Sequence, residues 1–180
     1  MFMKKFVLLL YTCAVLTSCA DKPFVIIQIA DAQLGFDAAV KGQAPDAEYV
    51  NDLTYETEFL KQAVQKVNAL KADAVVFTGD QVNKPEDVQQ WDTFADAISE
   101  IDSQTSVFHI PGNHDVLLSE GKVDITPFSS RYGEDRFVYS DNKVCIVGIN
   151  SNLIKSNDLR EEEHHLSHRL LPAGKDLRVR

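Results

Sequence analysis

Three short polar clusters hold the residue types that do chemistry: Asp31-Ala32-Gln33, Gly79-Asp80 and Gly112-Asn113-His114-Asp115. Each follows directly on an apolar run, over residues 24–30, 73–78 and 106–110. Carboxylate and amide oxygens suit hard divalent cations such as Mg and Mn, and imidazole adds affinity for Zn or Fe. Asp80 is able to bridge two ions, because a carboxylate has two oxygens. Asn113 offers a neutral oxygen, which binds an ion without cancelling its Lewis acidity. That leaves His114 to meet a substrate, held in one tautomer by Asp115. Gly79 and Gly112 permit the close backbone approach that such a site needs. Taken singly, Asp31 or Asp80 reads as a turn or capping residue. The ordered set of three, each in the same place after an apolar run, reverses that reading.

The elements that must position these clusters follow from hydrophobic patterning. Residues 24–30 are a continuous apolar, β-branched run, the pattern of a strand buried on both faces. A polar loop with Gly35, Gly42 and Pro45 leads to a helix over 49–70. Leu60, Val64 and Val67 mark its apolar stripe, and Phe59, Ala63 and Leu70 widen it. Residues 73–78 form a second buried strand. Pro85 opens the next helix with Glu86 and Asp87 in its first turn, and Trp91, Phe94, Ile98 and Ile101 make its apolar face. Residues 106–110 form a third strand, stopped by Pro111-Gly112. A short helix is expected within 124–132, and a hairpin joins 137–140 to 143–150 around Asp141-Asn142. This order predicts an α/β layered fold with parallel early strands and right-handed crossovers. Open α/β sheets place their sites beyond the carboxyl ends of strands, where all three clusters lie. His109, inside a strand, reads as a structural histidine, Cys145 as a small core residue, and Trp91 and the phenylalanines as core-facing.

The 180 residues suffice for one domain with a core, not comfortably two. The net charge of −9, with no Lys/Arg stripe, argues against nucleic acid as a partner. A small phosphorylated substrate remains open, because bound metal supplies local positive charge. At the N-terminus, Lys4 and Lys5 precede a short apolar run over 6–16, and Leu16-Thr17-Ser18-Cys19 follows. The run is too short to span a bilayer and reads as a secretory signal. Its end resembles the lipobox of bacterial lipoproteins, which implies lipidation of Cys19 and anchoring to a membrane of the bacterial cell envelope. Cys13 would leave with the signal and Cys19 would carry lipid, so no pair remains for a disulfide.

The series Asp31-x-Gln33, Gly79-Asp80, Gly112-Asn113-His114-Asp115 resembles the calcineurin-like metallophosphoesterases. Their pattern runs Asp-x-His, Gly-Asp, Gly-Asn-His-Asp/Glu, a later His, and Gly-His-x-His. Gln33 in place of the first histidine resembles the purple-acid-phosphatase-like branch with an Asp-x-Gln opening. Where true purple acid phosphatases carry a tyrosine, this chain has Asn83, so a purple tyrosinate–iron site is not expected. The resemblance implies a hydrolase that cleaves phosphate esters with two divalent metals (Mn, Fe, Zn or Mg) about 3.5–4 Å apart sharing a hydroxide. It implies Asp31 on the first metal, Asp80 bridging, and Asn113 on the second. Gln33 offers an amide oxygen directly or through water. His114 stabilises the transition state or protonates the leaving oxygen, and Asp115 orients it.

The resemblance covers roughly residues 24–152, and no Gly-His-x-His occurs. The expected organisation is therefore a lipoprotein signal over 1–18 and a tether over 19–23. A partial domain over 24–158 follows, the N-terminal half of the αββα metallophosphoesterase sandwich with a mixed sheet, and then a truncated or aberrant tail over 159–180. A helix is expected over 159–171, and its His164, His165 and His168 read as a solvated face or as surrogate ligands. A half-sandwich leaves an open edge and uncovered apolar surface, so self-association is expected. The alternative to a phosphoesterase is an inactive truncated lipoprotein, or a surface lipoprotein that binds a ligand without hydrolysis.

Overall fold

Ala74–Phe77 forms the centre of the protein, a strand whose every residue is buried. In the computed structural model, which describes residues 22–43, 51–119 and 122–155, the elements succeed one another as follows. They are β1 (Ile26–Ile29), α1 (Phe36–Lys41), α2 (Thr54–Leu70), β2 (Ala74–Phe77), α3 (Val88–Ile98) and β3 (Ser106–His109). Then come β4 (Leu117–Ser119), β5 (Lys122–Asp124), α4 (Thr126–Tyr132), β6 (Phe137–Ser140), β7 (Cys145–Gly148) and α5 (Ser151–Lys155). β1, β2 and β3 make one parallel sheet in that spatial order. Two antiparallel hairpins, β4–β5 and β6–β7, complete the strands.

The register explains the site. Ile29 pairs with Phe77, and Phe77 with His109. All three strands therefore end at one level, and all three polar clusters begin from the same edge.

One face of the sheet is covered by α2 and α3. Leu60 and Val67 of α2 and Phe94 and Ala97 of α3 pack with Val75 and Phe77 in one buried cluster. Burying residues such as Phe77 and Phe94 contributes about 1.5–3 kcal/mol each. Trp91 is buried beside Val82 and Phe128, and its indole N–H donates to Pro85 O at 2.8 Å. The β6–β7 hairpin lies against β3: Phe108 stacks on Phe137 at 4.5 Å and meets Tyr139 at 5.3 Å. Lys143 Nζ donates to Lys22 O at 2.7 Å and ties the hairpin turn to the chain ahead of β1. The result is the mixed α/β arrangement expected, with the antiparallel pairs as separate ladders.

Several local expectations are corrected. β1 is not buried on both faces: its residues alternate, and Ile26 is 44% exposed, because among the described residues it pairs only with β2. α2 begins at Thr54, where Asp52 Oδ1 accepts from Thr54 N at 3.0 Å. Its stripe is narrower than expected, since Phe59 and Leu70 are exposed while Leu60, Val64 and Val67 are buried. Asp87 is the N-cap of α3 and accepts from Gln90 N, which leaves Pro85 and Glu86 ahead of the helix. Cys145 is exposed, because β7 alternates and Cys145 falls on its outward side. Phe36 is exposed as well. α1, α5 and the β4–β5 hairpin carry no pattern strong enough to have been expected. The proposed signal, Cys19 and the helix with His164, His165 and His168 lie outside the described residues.

Candidate functional site

Beyond the strands, the first two loops stay laced together. Asp31 N donates to Gly79 O at 3.1 Å, Gln33 N to Asp80 O at 2.8 Å, and Leu34 N to Gln81 O at 3.1 Å. Asp31 (φ 55°), Gln33 (φ 44°) and Asp80 (φ 52°) all adopt left-handed backbone, which costs a non-glycine residue about 1–2 kcal/mol. The loop hydrogen bonds hold the chain in that conformation. Gly79 (φ 113°) has a second constraint: a Cβ there would stand 2.6 Å from Gly112 Cα. A Cβ on Gly112 would in turn fall on the Asp80 carboxylate and backbone N. The second and third loops thus touch through two glycines that admit no side chain.

The third loop is fixed from inside by Asp115, which is fully buried. Its Oδ1 accepts from Gln81 N (2.8 Å) and Val82 N (3.2 Å), and its Oδ2 from Gly112 N (2.8 Å). Burial pushes the Asp115 carboxyl up to about 7, against the three N–H donors that favour its charge. These contacts give Asp115 a different task from the one expected of it. His114 is oriented instead by Asn83, whose carbonyl lies 3.0 Å from His114 Nδ1. A carbonyl only accepts, so Nδ1 carries the hydrogen and the Nε2 lone pair is left for chemistry. His114 N also donates to Asp80 Oδ1 at 2.9 Å.

Two buried glutamines brace this arrangement. Gln90 Oε1 accepts from Asn83 N (3.1 Å) and Lys84 N (2.8 Å), which fixes the peptide that orients His114. Gln81 Nε2 donates to Ile110 O at 3.0 Å, joining the second loop to the end of β3. Sequence reasoning missed both. A signal existed for Gln90, which stands one helical turn before Phe94 on the apolar stripe of α3. No residue type announces Asn83, because its contribution is a backbone carbonyl.

His109 stays outside this network. Its ring stacks between Phe77 (5.0 Å) and Tyr132 (4.0 Å), and its Nδ1 is buried without a hydrogen-bond partner. Burial lowers its pKa to about 4, so it is a neutral core group, as expected.

Asp31, Gln33, Asp80, Asn113, His114 and Asp115 therefore share one edge of the sheet. Two carboxylates and two amides are the donors a hard divalent cation takes, and the Gly112 cradle keeps the Asp80 carboxylate clear. Among the described residues no group of three His, Cys, Asp or Glu side chains is placed to hold a metal ion. The donor types suit a divalent cation, and a complete shell needs donors beyond these four. Beside Asp31, a hollow of about 280 Å³ is walled by Tyr55, Phe59 and Leu60.

A family profile described as calcineurin-like phosphoesterase matches residues 24–175. The Bos taurus protein named serine/threonine-protein phosphatase CPPED1 is 27% identical over 164 residues, covering 84% of this chain and 52% of that protein. The chain thus spans about half the length of the curated relative it matches. Among solved structures, a purple acid phosphatase from yellow lupin (Lupinus luteus) seeds aligns with a TM-score of 0.53 at 16% identity. That likeness is one of fold and covers 84% of this chain and 28% of the lupin chain. A dimetal phosphatase from Danio rerio aligns at 21% identity and a TM-score of 0.34, over 52% of this chain and 31% of its own.

Proposed function

This chain belongs to the calcineurin-like phosphoesterase family, and on that premise we propose that it is a metal-dependent phosphoesterase acting on a phosphorylated substrate. The observation that carries the reading is the lacing of three strand-end loops through Gly79, Asp80 and His114 N, which sets Asp31, Gln33, Asp80, Asn113 and His114 on one edge. Asp31, Asp80, Asn113 and Gln33 would hold two divalent ions together with donors beyond this set. Bound, such ions supply Lewis acidity toward phosphoryl oxygens and an activated water nucleophile. His114 presents Nε2 to the substrate, where it accepts a hydrogen bond or, once protonated, hands a proton to the leaving oxygen. Asn83 O holds the ring in the tautomer this needs, and Asp115 holds the loops rather than the ring.

The test is hydrolysis of p-nitrophenyl phosphate and its bis ester with Mn, Mg, Zn or Fe added. Turnover should depend on metal, vanish in Asp80→Ala, and fall about 10²–10⁴-fold in His114→Ala, the range for a lost general acid or base. Metal-independent turnover, or turnover indifferent to both substitutions, would overturn the reading.

The short donor set among the described residues favours a second reading, in which the chain binds one cation and turns nothing over. One bound Mn per chain with no hydrolysis of either ester would select it.

The same proposal extends to the N-terminus. Residues 1–18 act as a lipoprotein signal and Cys19 as the lipidated residue of an envelope-anchored protein. The chain, expressed in bacteria, should partition with membranes and move to the soluble fraction in Cys19→Ala; soluble wild-type chain would count against the anchor.

A further inference from the structure

The third loop is gripped from outside as well as inside, by residues that none of the sequence clusters contains. Asn152 Nδ2 donates to Pro111 O at 3.2 Å and to Gly112 O at 3.1 Å. A primary amide has two N–H groups, so one side chain serves both carbonyls. Those carbonyls belong to the two residues ahead of Asn113, and the second of them shares a peptide with Asn113 N. The grip on Asn152 itself is traceable: Asn150 Oδ1 accepts from Asn152 N at 3.0 Å, which fixes the start of α5. Asn150 Nδ2 donates to Asp135 Oδ2 at 2.9 Å, and both side chains are buried. Asp135 Oδ1 is held in turn by Arg136 Nε at 2.9 Å.

A carboxylate buried this deeply is costly unless several donors meet it. Here it is met, and the chain of bonds ends on the loop that offers Asn113 and His114. We propose that Asn152 is a positioning residue for Asn113 and His114, and that Asp135 and Asn150 form the anchor through which it acts. The inference rests on the reading of Asn113 and His114 as parts of a metal-dependent phosphoesterase site. Asn152 touches neither substrate nor metal. It sets where the Gly112–Asn113 peptide sits, while Asp115 holds the same turn from the opposite side.

Chemistry separates this from mere space-filling. Asn152→Asp keeps size and shape but turns an oxygen toward two carbonyl oxygens, so it should do more harm than Asn152→Ala. Exchanging polarity at the anchor, Asp135→Asn with Asn150→Asp, preserves every hydrogen bond and moves the charge to position 150. The amide then at position 135 donates to the carboxylate then at position 150, and its oxygen still accepts from Arg136 Nε. The carboxylate at position 150 still accepts from Asn152 N. Each single exchange costs a bond: Asn150→Asp sets two carboxylates face to face, and Asp135→Asn leaves one oxygen where Asn150 and Arg136 had two.

The experiment uses the full chain, with Mn²⁺ affinity measured by calorimetry and amide hydrogen exchange followed at His114 without metal. Asn152→Asp should weaken Mn²⁺ binding by about tenfold or more, as for groups that brace metal ligands, and should speed exchange at the His114 amide about as much. Asn152→Ala should fall between Asn152→Asp and wild type. The Asp135→Asn/Asn150→Asp pair should return both readings to within about threefold of wild type, where either single change does not. Wild-type exchange at His114 in Asn152→Asp, or a double exchange no better than the singles, overturns the proposal. If Asn152→Asp does not fold, the double exchange against its singles still decides. Wild-type chain that binds no Mn²⁺ would sink the phosphoesterase reading alone, since exchange at His114 tests the positioning role without metal.

Discussion

The two strands that flank β2 present opposite cases. β3 is covered: Phe108 stacks on the β6–β7 hairpin, His109 is stacked between Phe77 and Tyr132, and the loop beyond is clamped by Asp115 and Asn152. β1 is open: Ile26 is exposed, and the neighbouring hollow is walled by the exposed rings of Tyr55 and Phe59. Yet both strands deliver residues to the same edge. Precision at the third loop is supplied by side chains packed around it. Precision at the first loop comes almost wholly from its backbone bonds to the second.

That contrast is most sharply broken at Gly112. Gly112→Ala would drive a methyl into the Asp80 carboxylate and backbone, separating the second and third loops. Metal-dependent turnover should drop about 100-fold or more, since a displacement of about 1 Å costs that much. Activity within a few-fold of wild type would mean that the loops yield easily.

Next in size is an acid response from the covered side. His109 titrates near 6.5 when unfolded and near 4 when folded. Its folded pKa is depressed, so its contribution is intact above pH 6.5, is lost as pH falls from 6.5 to 4, and is constant below. The loss should approach about 3 kcal/mol at 1.36 kcal/mol per pKa unit. His109→Phe should flatten that part of the stability curve, measured by urea unfolding across the range; an unchanged slope would place the acid response elsewhere. Phe108→Ala should then cost about 2 kcal/mol through the lost stack on the hairpin. On the open side, Phe59→Gln should change stability by under about 0.5 kcal/mol, as surface substitutions do. It should also reduce self-association in light scattering; a large loss of stability would show that Phe59 is covered after all.

The sheet and the gathering of the three polar clusters at one edge are legible for a common reason. β2 and β3 are short apolar runs ended by glycine-bearing polar clusters, and the register of a parallel sheet carries those ends to one edge. Illegible was whatever depends on a neighbour distant in sequence. The apolar run at 24–30 reads as buried, but its burial depends on a partner strand that the run cannot specify. Phe59 and Leu70 belong to the helical stripe by spacing and still face outward. Cys145 has a core residue's chemistry and the wrong side of an alternating strand. Within the site, adjacency suggested Asp115 as the partner of His114, whereas the fold brings Asn83 O to the ring and sends Asp115 to the backbone. Asn150 and Asn152 carry no local signal for their roles, because their partners lie 15 and some 40 residues away.

Among the described residues four non-glycine positions adopt left-handed backbone: Asp31, Gln33 and Asp80 at the strand ends, and Lys71 at the close of α2. Glycine relieves that conformation at any of them. At position 71 the exchange sacrifices nothing, and at the other three it deletes a donor. Laboratory evolution that rewards only survival on heating should therefore drift toward glycine at 31, 33 and 71 but not at 80, whose carboxylate also accepts from His114 N, while selection for growth on a phosphate ester should let 71 drift and hold 31, 33 and 80. Sequencing the two lineages would read out, position by position, where this protein spends stability on its task.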